Sequence, residues 1–422
     1  MTPADALNDT LARELPAAWR CLSPLGRAAA FPRGIPFQAS EAKGARINAT
    51  IGQLTDGRGA PMPLSPLSGV ASPALDPGAV HLYAPIDGPA TVREAWRMRE
   101  RRLAGNPEVR VSLPVVTHGL THGISLLADL FVDPNTDVII AQPAWENYAL
   151  LFRMHARGNL LGFPFFKDGR FNLEGLADAL RRVRSKALLV LNFPSNPTGY
   201  QPSPEEARAI VEVVTAHTGP LVVATDDAYQ GYVYEEGRHP RSLFWDLAER
   251  ADLDRLLPVK VDGATKELVF FSSRVGFVTH PGSEAAEEAL RSKLKFLIRG
   301  SVGAASGPAL AMVGHALAST ELEASFEERR AVLAERWSTL RQALATLPSD
   351  RAVVHPFQGA FFALMTLRGG LDAEAVRLQL LREHSVGTIA FPEANALRVA
   401  YCSIHNDDLP ELGRALHAVI AA

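Results

Sequence analysis

The sequence predicts an α/β protein, with a large domain built on a mostly parallel sheet flanked by helices and a smaller α+β domain beside it. Three observations carry this. Short apolar runs at 137–140, 160–165, 187–191 and 221–224 alternate with helical patterns at 173–184 and 204–218. Strands that alternate with helices build parallel sheets covered on both faces. At 422 residues the chain is too long for one simple core, so two domains are expected. From about residue 305 the pattern turns helix-rich through 331–347, then mixed, with strands expected at 361–365 and 397–401. We divide the chain into a large domain at 62–315 and a second unit in which 1–61, as an N-terminal arm, joins a small domain at 316–422.

The elements follow in order. The opening stretch has an amphipathic helical pattern, followed by Pro and Gly punctuation at 32–36. Residues 57–88 are rich in Gly, Pro and Ser and read as an extended arm or loop. A helix is expected at 90–103. The segment Thr117-His118-Gly119-Leu120-Thr121-His122-Gly123 precedes a helical pattern at 124–130. A further apolar stretch lies at 256–261.

Composition narrows the function. A hydrophobic content of 47% and a charged content of 21% describe an ordinary globular enzyme. A net charge of −3 argues against nucleic acid as the main partner. Cys21 and Cys402 cannot make a disulfide framework, which fits a reducing cytosol. The N-terminus carries acids early and lacks the apolar core of a signal peptide. The apolar runs are far too short to span a bilayer. A cytoplasmic protein without a membrane partner is expected.

Polar groups then collect at strand ends, where open α/β sheets bind ligands. Trp145 follows the run at 137–142. Asn192 and Asn196, in Asn192-Phe193-Pro194-Ser195-Asn196-Pro197-Thr198-Gly199, follow the run at 187–191. Asp226, in Thr225-Asp226-Asp227-Ala228-Tyr229, follows the run at 221–224. Gly263 to Lys266 follow the run at 256–261, and Arg274 comes eight residues after Lys266. His118 and His122 are four apart, but two glycines weaken a helix there and no third ligand follows at a zinc-site spacing, so no metal is expected.

This order of Asn, Asp, Tyr, Lys and Arg resembles the cofactor site of fold type I aminotransferases, enzymes that use pyridoxal 5′-phosphate (PLP). The likeness runs from Asn48 to Ile404, is nearest to the aspartate/aromatic aminotransferase group, and implies an aspartate aminotransferase-like fold. It implies that Lys266 holds PLP as a Schiff base, with Lys260 the nearest rival. It implies that Asp226, rather than Asp227, pairs with the pyridine nitrogen, and that Tyr229 and Asn196 donate to the phenolic oxygen. By the same likeness Arg274 grips the phosphate with its planar fork, beside Gly119, Leu120 and Thr121 at a helix start. Trp145 stacks on the ring. Tyr83 reaches the phosphate of a neighbouring subunit, which makes a symmetric dimer.

For substrate, the resemblance implies Arg398 on the α-carboxylate, Arg299 on a side-chain carboxylate, and Gly52 and Asn196 beside them. Two positions depart from the family pattern. Gly263 stands where a Ser or Thr is common, and Gly300 to Gly303 read Gly-Ser-Val-Gly. The expected reaction is transamination of aspartate, glutamate or an aromatic amino acid with a 2-oxo acid. Another PLP reaction, such as C–S β-lysis, is the alternative, because fold does not fix function. A non-catalytic ligand-sensing domain is the more distant one.

Overall fold

Seven strands form the sheet that carries the site: β1 (Val115–Thr117), β2 (Thr136–Gln142), β3 (Asn159–Pro164), β4 (Lys186–Leu191), β5 (Leu221–Asp226), β6 (Leu256–Gly263) and β7 (Gly276–Thr279). Their spatial order is β1-β7-β6-β5-β4-β2-β3. Neighbours from β6 to β3 are parallel, and β7 runs antiparallel between β1 and β6. The computed structural model describes residues 35–67, 79 and 81–422, together with Asp5, Asn8 and Asp9. Most of the expected opening helix, the punctuation at 32–34 and the middle of the 57–88 stretch lie outside the described residues.

The continuous apolar runs have a physical reason. In β4, Leu189 and Leu191 pack on one face with Leu176 and Ile210 from the helices that follow β3 and β4. Leu188 and Val190, between them in sequence, pack on the other face with Ile124 and Ile298. Side chains alternate across a strand, so a strand covered on both faces must be apolar throughout.

Helices α1 (Ala90–Leu103), α2 (Leu120–Phe131), α3 (Leu173–Arg181), α4 (Pro204–Thr215) and α5 (Glu284–Ser301) flank this sheet. The start of α4 is fixed by a reciprocal cap. Ser203 accepts from Glu206 N–H, Glu206 accepts from Ser203 N–H at 2.9 Å, and Pro204 takes the first turn. The third and fourth helices stop three residues short of the expected 184 and 218. After α3, Arg182 N–H bonds back to both Asp178 and Ala179, which tightens and ends the last turn.

Helix α6 (Gly307–Ala318) leads to α7 (Leu322–Leu344). The last begins nine residues before the expected 331, because Leu322, Ser325 and Phe326 already face the core. The charged run Glu327-Glu328-Arg329-Arg330 hides that periodicity in the sequence. A four-stranded antiparallel sheet follows: β8 (Ala352–Val354), β9 (Phe362–Leu367), β10 (Ile389–Phe391) and β11 (Ala396–Ala400), in the order β8-β9-β11-β10. The N-terminal segment joins this unit where Ile47 and Asn48 pair in parallel with Val386 and Gly387. No helix among the described residues is long and apolar enough to cross a membrane.

Candidate active site

The carboxyl ends of β2, β4, β5 and β6 open onto one cavity of about 250 Å³. Gly52, Leu120, Thr121, Trp145, Asn196, Asp226, Tyr229, Lys266, Arg274 and Arg398 all line it. They arrive on several separate elements. Asp226 is the last residue of β5, and Lys266 sits in a one-turn helix (Ala264–Glu267) directly after β6. Leu120 and Thr121 open α2, and Arg398 comes from β11 of the smaller sheet. Three cations and one carboxylate line this space, so it favours an anionic ligand.

Asp226 is 5% exposed. Its Oδ2 accepts from the Tyr148 hydroxyl at 2.5 Å, and its Oδ1 accepts from Ala228 N–H at 3.2 Å. Burial pushes the carboxyl up to about 6, against the pull of those two donors. Asn192 donates to the Asp226 carbonyl at 2.7 Å and accepts from Asn196 N–H at 2.7 Å, so the β4 and β5 loops are tied together. Trp145 meets the Tyr148 ring edge-on, with centroids 5.5 Å apart.

Lys266 Nζ lies 5.1 Å from the centroid of Phe271 and has no hydrogen bond or ion pair to the described residues. Burial in the cavity wall lowers its ammonium to about 8. Its sequence rival is elsewhere. Lys260 is 1% exposed and pairs with Glu100, Asp227 and Asp262. That cluster also takes up Asp227, the rival of Asp226.

Arg398 donates to Asn196 Oδ1 at 3.0 Å and to the Thr50 carbonyl at 2.7 Å. Its guanidinium lies over the Phe362 ring at 4.3 Å. Its Nε is buried without a partner, and burial lowers the group to about 10. Gly52 is held against the same ring, since a Cβ there would stand 2.5 Å from Phe362 Cζ. Tyr229 packs edge-on against Phe361 and Phe362.

At the other end, Gly119 caps α2 with φ of 79°. A Cβ there would lie 2.5 Å from Arg274 Nη2. Only glycine allows both the backbone shape and the approach of the guanidinium. The Thr265 hydroxyl lines the same cavity, buried and without a partner.

These unsatisfied groups fit PLP. Arg274, Thr121, Thr265 and the first N–H groups of α2 would hold its phosphate. Asp226 would meet the ring nitrogen, and Lys266 offers a free amine. Gly119→Ala is expected to weaken PLP binding about tenfold, near 1.4 kcal/mol. Titrating the apoprotein with PLP by absorbance checks this, and an unchanged affinity removes the cradle.

Tyr83 and Arg299 stand outside the cavity of this chain. Tyr83 is fully exposed, and Arg299 is exposed in the last turn of α5. Both belong to the expectation of a site shared between two subunits. Tyr148, Thr265 and Phe362 carried no assigned role in the sequence reading. Tyr148 follows Trp145 by three residues, and Thr265 adjoins Lys266, so adjacency was their only signal.

Known proteins resemble this chain in sequence and in fold. A probable N-succinyldiaminopimelate aminotransferase of Mycobacterium tuberculosis is 37% identical over 181 residues, 41% of this chain and 43% of that protein. The chain thus spans less than half the length of that relative. A 2-aminoadipate transaminase of Thermus thermophilus is 28% identical across 95% of this chain and the whole of that protein. The fold is shared with a solved aminotransferase from Anaerococcus prevotii, with a TM-score of 0.83, 21% identity, and coverage of 95% of this chain and 100% of that one. The family described as "Aminotransferase class I and II" matches residues 47–416, and the chain belongs to that family of PLP-dependent aminotransferases.

Proposed function

We propose that the protein moves an amino group between an amino acid and a 2-oxo acid, with an acidic or aromatic amino acid as donor. The observation that carries it is the meeting of Lys266, Asp226 and Arg398 on one cavity. The names of the relatives, a 2-aminoadipate transaminase among them, support an acidic donor.

When bound, PLP supplies an electron-withdrawing ring that accepts the electrons released at the substrate Cα. The chain does the rest. Arg398 binds the α-carboxylate with its bidentate fork, and its unpartnered Nε leaves capacity for that bond. Lys266 Nζ would take the proton from the substrate Cα and deliver it to the cofactor's C4′ carbon, and its lowered ammonium keeps part of it free as base near neutral pH. Asp226 would hold the ring nitrogen charged, and Tyr148 orients that carboxylate. Tyr229 and Asn196, which line the cavity, would donate to the phenolic oxygen, and Trp145 would cover the ring and exclude water.

We also read the protein as a cytoplasmic homodimer. The exposure of Tyr83, with its neighbour Leu82 at 72%, supports a second copy of the chain on that surface. Arg299 then acts across the interface on a side-chain carboxylate.

The test is a donor screen. Purified protein carrying PLP is mixed with single amino acids, and absorbance follows conversion to the aminated cofactor. No conversion with any donor sinks the reading. Arg398→Lys keeps the charge but loses the fork, and should lower kcat/KM for every donor by about tenfold or more. Arg299→Ala should cost glutamate about a hundredfold and leave phenylalanine nearly unchanged. An equal loss on both donors removes the dicarboxylate role.

A further inference from the structure

Behind the cavity wall lies a buried ionic cluster that the reaction does not touch. Lys260 Nζ is 2.9 Å from Glu100 Oε2 and 3.5 Å from Asp227 Oδ2, and it also pairs with Asp262. Arg99 Nη1 lies 3.0 Å from Glu267 Oε2 and 3.2 Å from Glu100 Oε1. Trp96 donates to Asp262 at 3.1 Å, and Ser242 to Asp227 at 2.6 Å. All six charged groups are at most 5% exposed. Glu100, Asp262 and Glu267 come close enough to hold a metal ion, but the Lys260 ammonium bonds two of those three carboxylates.

Two members of this cluster are chain neighbours of the central site residues. Asp227 follows Asp226 at the end of β5, and Glu267 follows Lys266 in the one-turn helix. Neither lines the cavity. Their side chains instead meet, through Lys260, Glu100 and Arg99, on the far side of the backbone. The strands are in register there, with Thr225 opposite Lys260 and Asp226 opposite Val261. The Asp227 N–H also donates to the Val261 carbonyl at 2.9 Å. Glu323 also reaches Arg99 Nε at 3.3 Å from the exposed side, so five carboxyls face two cations. Burial, then Glu100, pushes the Glu267 carboxyl well up.

We propose that Lys260 is a positioning residue: with Glu100 and Arg99 it anchors Asp227 and Glu267, and through them fixes Asp226 and Lys266 relative to each other across the cavity. This rests on the roles given above to Asp226 and Lys266. An apolar side chain at 260 takes the shared cation from Glu100, Asp227 and Asp262, so these carboxylates repel one another with only Ser242 left on Asp227 and Arg99 on Glu267, and both site residues drift. Displacement of about 1 Å by a residue away from the chemistry costs about a hundredfold in rate.

The test uses the full chain with PLP, as wild type, Lys260→Met, Lys260→Arg and Asp227→Asn. Circular dichroism monitors folding, and kcat and KM are measured with two unrelated donors. The pH midpoint of the bound cofactor's absorbance is measured in the holoprotein. The pH profile of Lys266 acylation is measured in the apoprotein. Folded Lys260→Met should lose about ten- to a hundredfold in kcat for both donors, with KM nearly constant. Both midpoints should move by about half a pH unit or more. Lys260→Arg should recover most of the loss. Unchanged midpoints and kcat in folded Lys260→Met overturn the proposal. If that variant does not fold, Asp227→Asn decides: a moved acylation midpoint supports the anchor, and an unmoved one with unchanged kcat rejects it. A wild type that carries its cofactor on another lysine fails the underlying roles instead, which the peptide map separates.

Discussion

Lys266→Ala retains PLP binding and loses turnover by roughly 10⁴-fold or more. Binding is expected to survive because Arg274, the Gly119 cap and the start of α2 would hold the cofactor from the other end of the cavity. Turnover fails because no second amine can replace Nζ. Arg274 and Arg398 are the other cations lining the cavity, and a guanidinium does not give up its proton. Lys260 is locked among carboxylates behind the wall. Borohydride reduction of the wild type followed by peptide mapping should find one label, on Lys266. A label on Lys260 rejects the assignment. In the apoprotein, acylation of Lys266 should rise through a midpoint near 8, the value to which burial lowers its ammonium. An ordinary surface lysine titrates about two units higher.

Asp226→Asn lowers kcat by roughly a thousandfold, about 4 kcal/mol of barrier, with little change in fold. The amide fills the same space and still accepts from Tyr148. It carries no negative charge, so it cannot hold a proton on the ring nitrogen. The carboxyl is already pushed toward neutrality by burial, at about 6, and the Tyr148 and Ala228 bonds, with the Lys266 charge, oppose this. A cationic ring nitrogen brings it back to the charged form. Asp227→Asn should cost far less, because Asp227 faces the Lys260 cluster. A stronger effect at Asp227 shifts the register by one and refutes the site.

Legibility followed physical cause. Strands β2, β4, β5 and β6 were readable because both faces are largely buried, which leaves long apolar runs, whereas β3, at the edge of the sheet with only Phe163 buried, was readable from its apolar composition alone. Strands β1 and β7 were not, since three and four residues give no periodicity. Helix α5 escaped notice because just Leu294 and Ile298 of its eighteen residues are buried. At the site, residue type and spacing pointed to Lys266, Arg274 and Asp226. Tyr148 and Thr265 act through positions that only tertiary packing creates. Arg299 shows the opposite case, a residue whose proposed role cannot be read within a single chain, because it stands exposed on α5.

The antiparallel strand β7 has a kinetic consequence. Gly276 pairs with Thr117 of β1 and with Gly263 of β6, so the meeting of Gly119 and Arg274 depends on segments very distant along the chain. Closing so long a loop is slow and comes late in folding. The phosphate cradle is therefore absent from the early nucleus, and PLP has little to grip until the native sheet is complete. A ligand that binds only the finished state slows unfolding and leaves the folding rate alone. Cofactor supply would then set how long a molecule of this enzyme lasts, and not how quickly it forms.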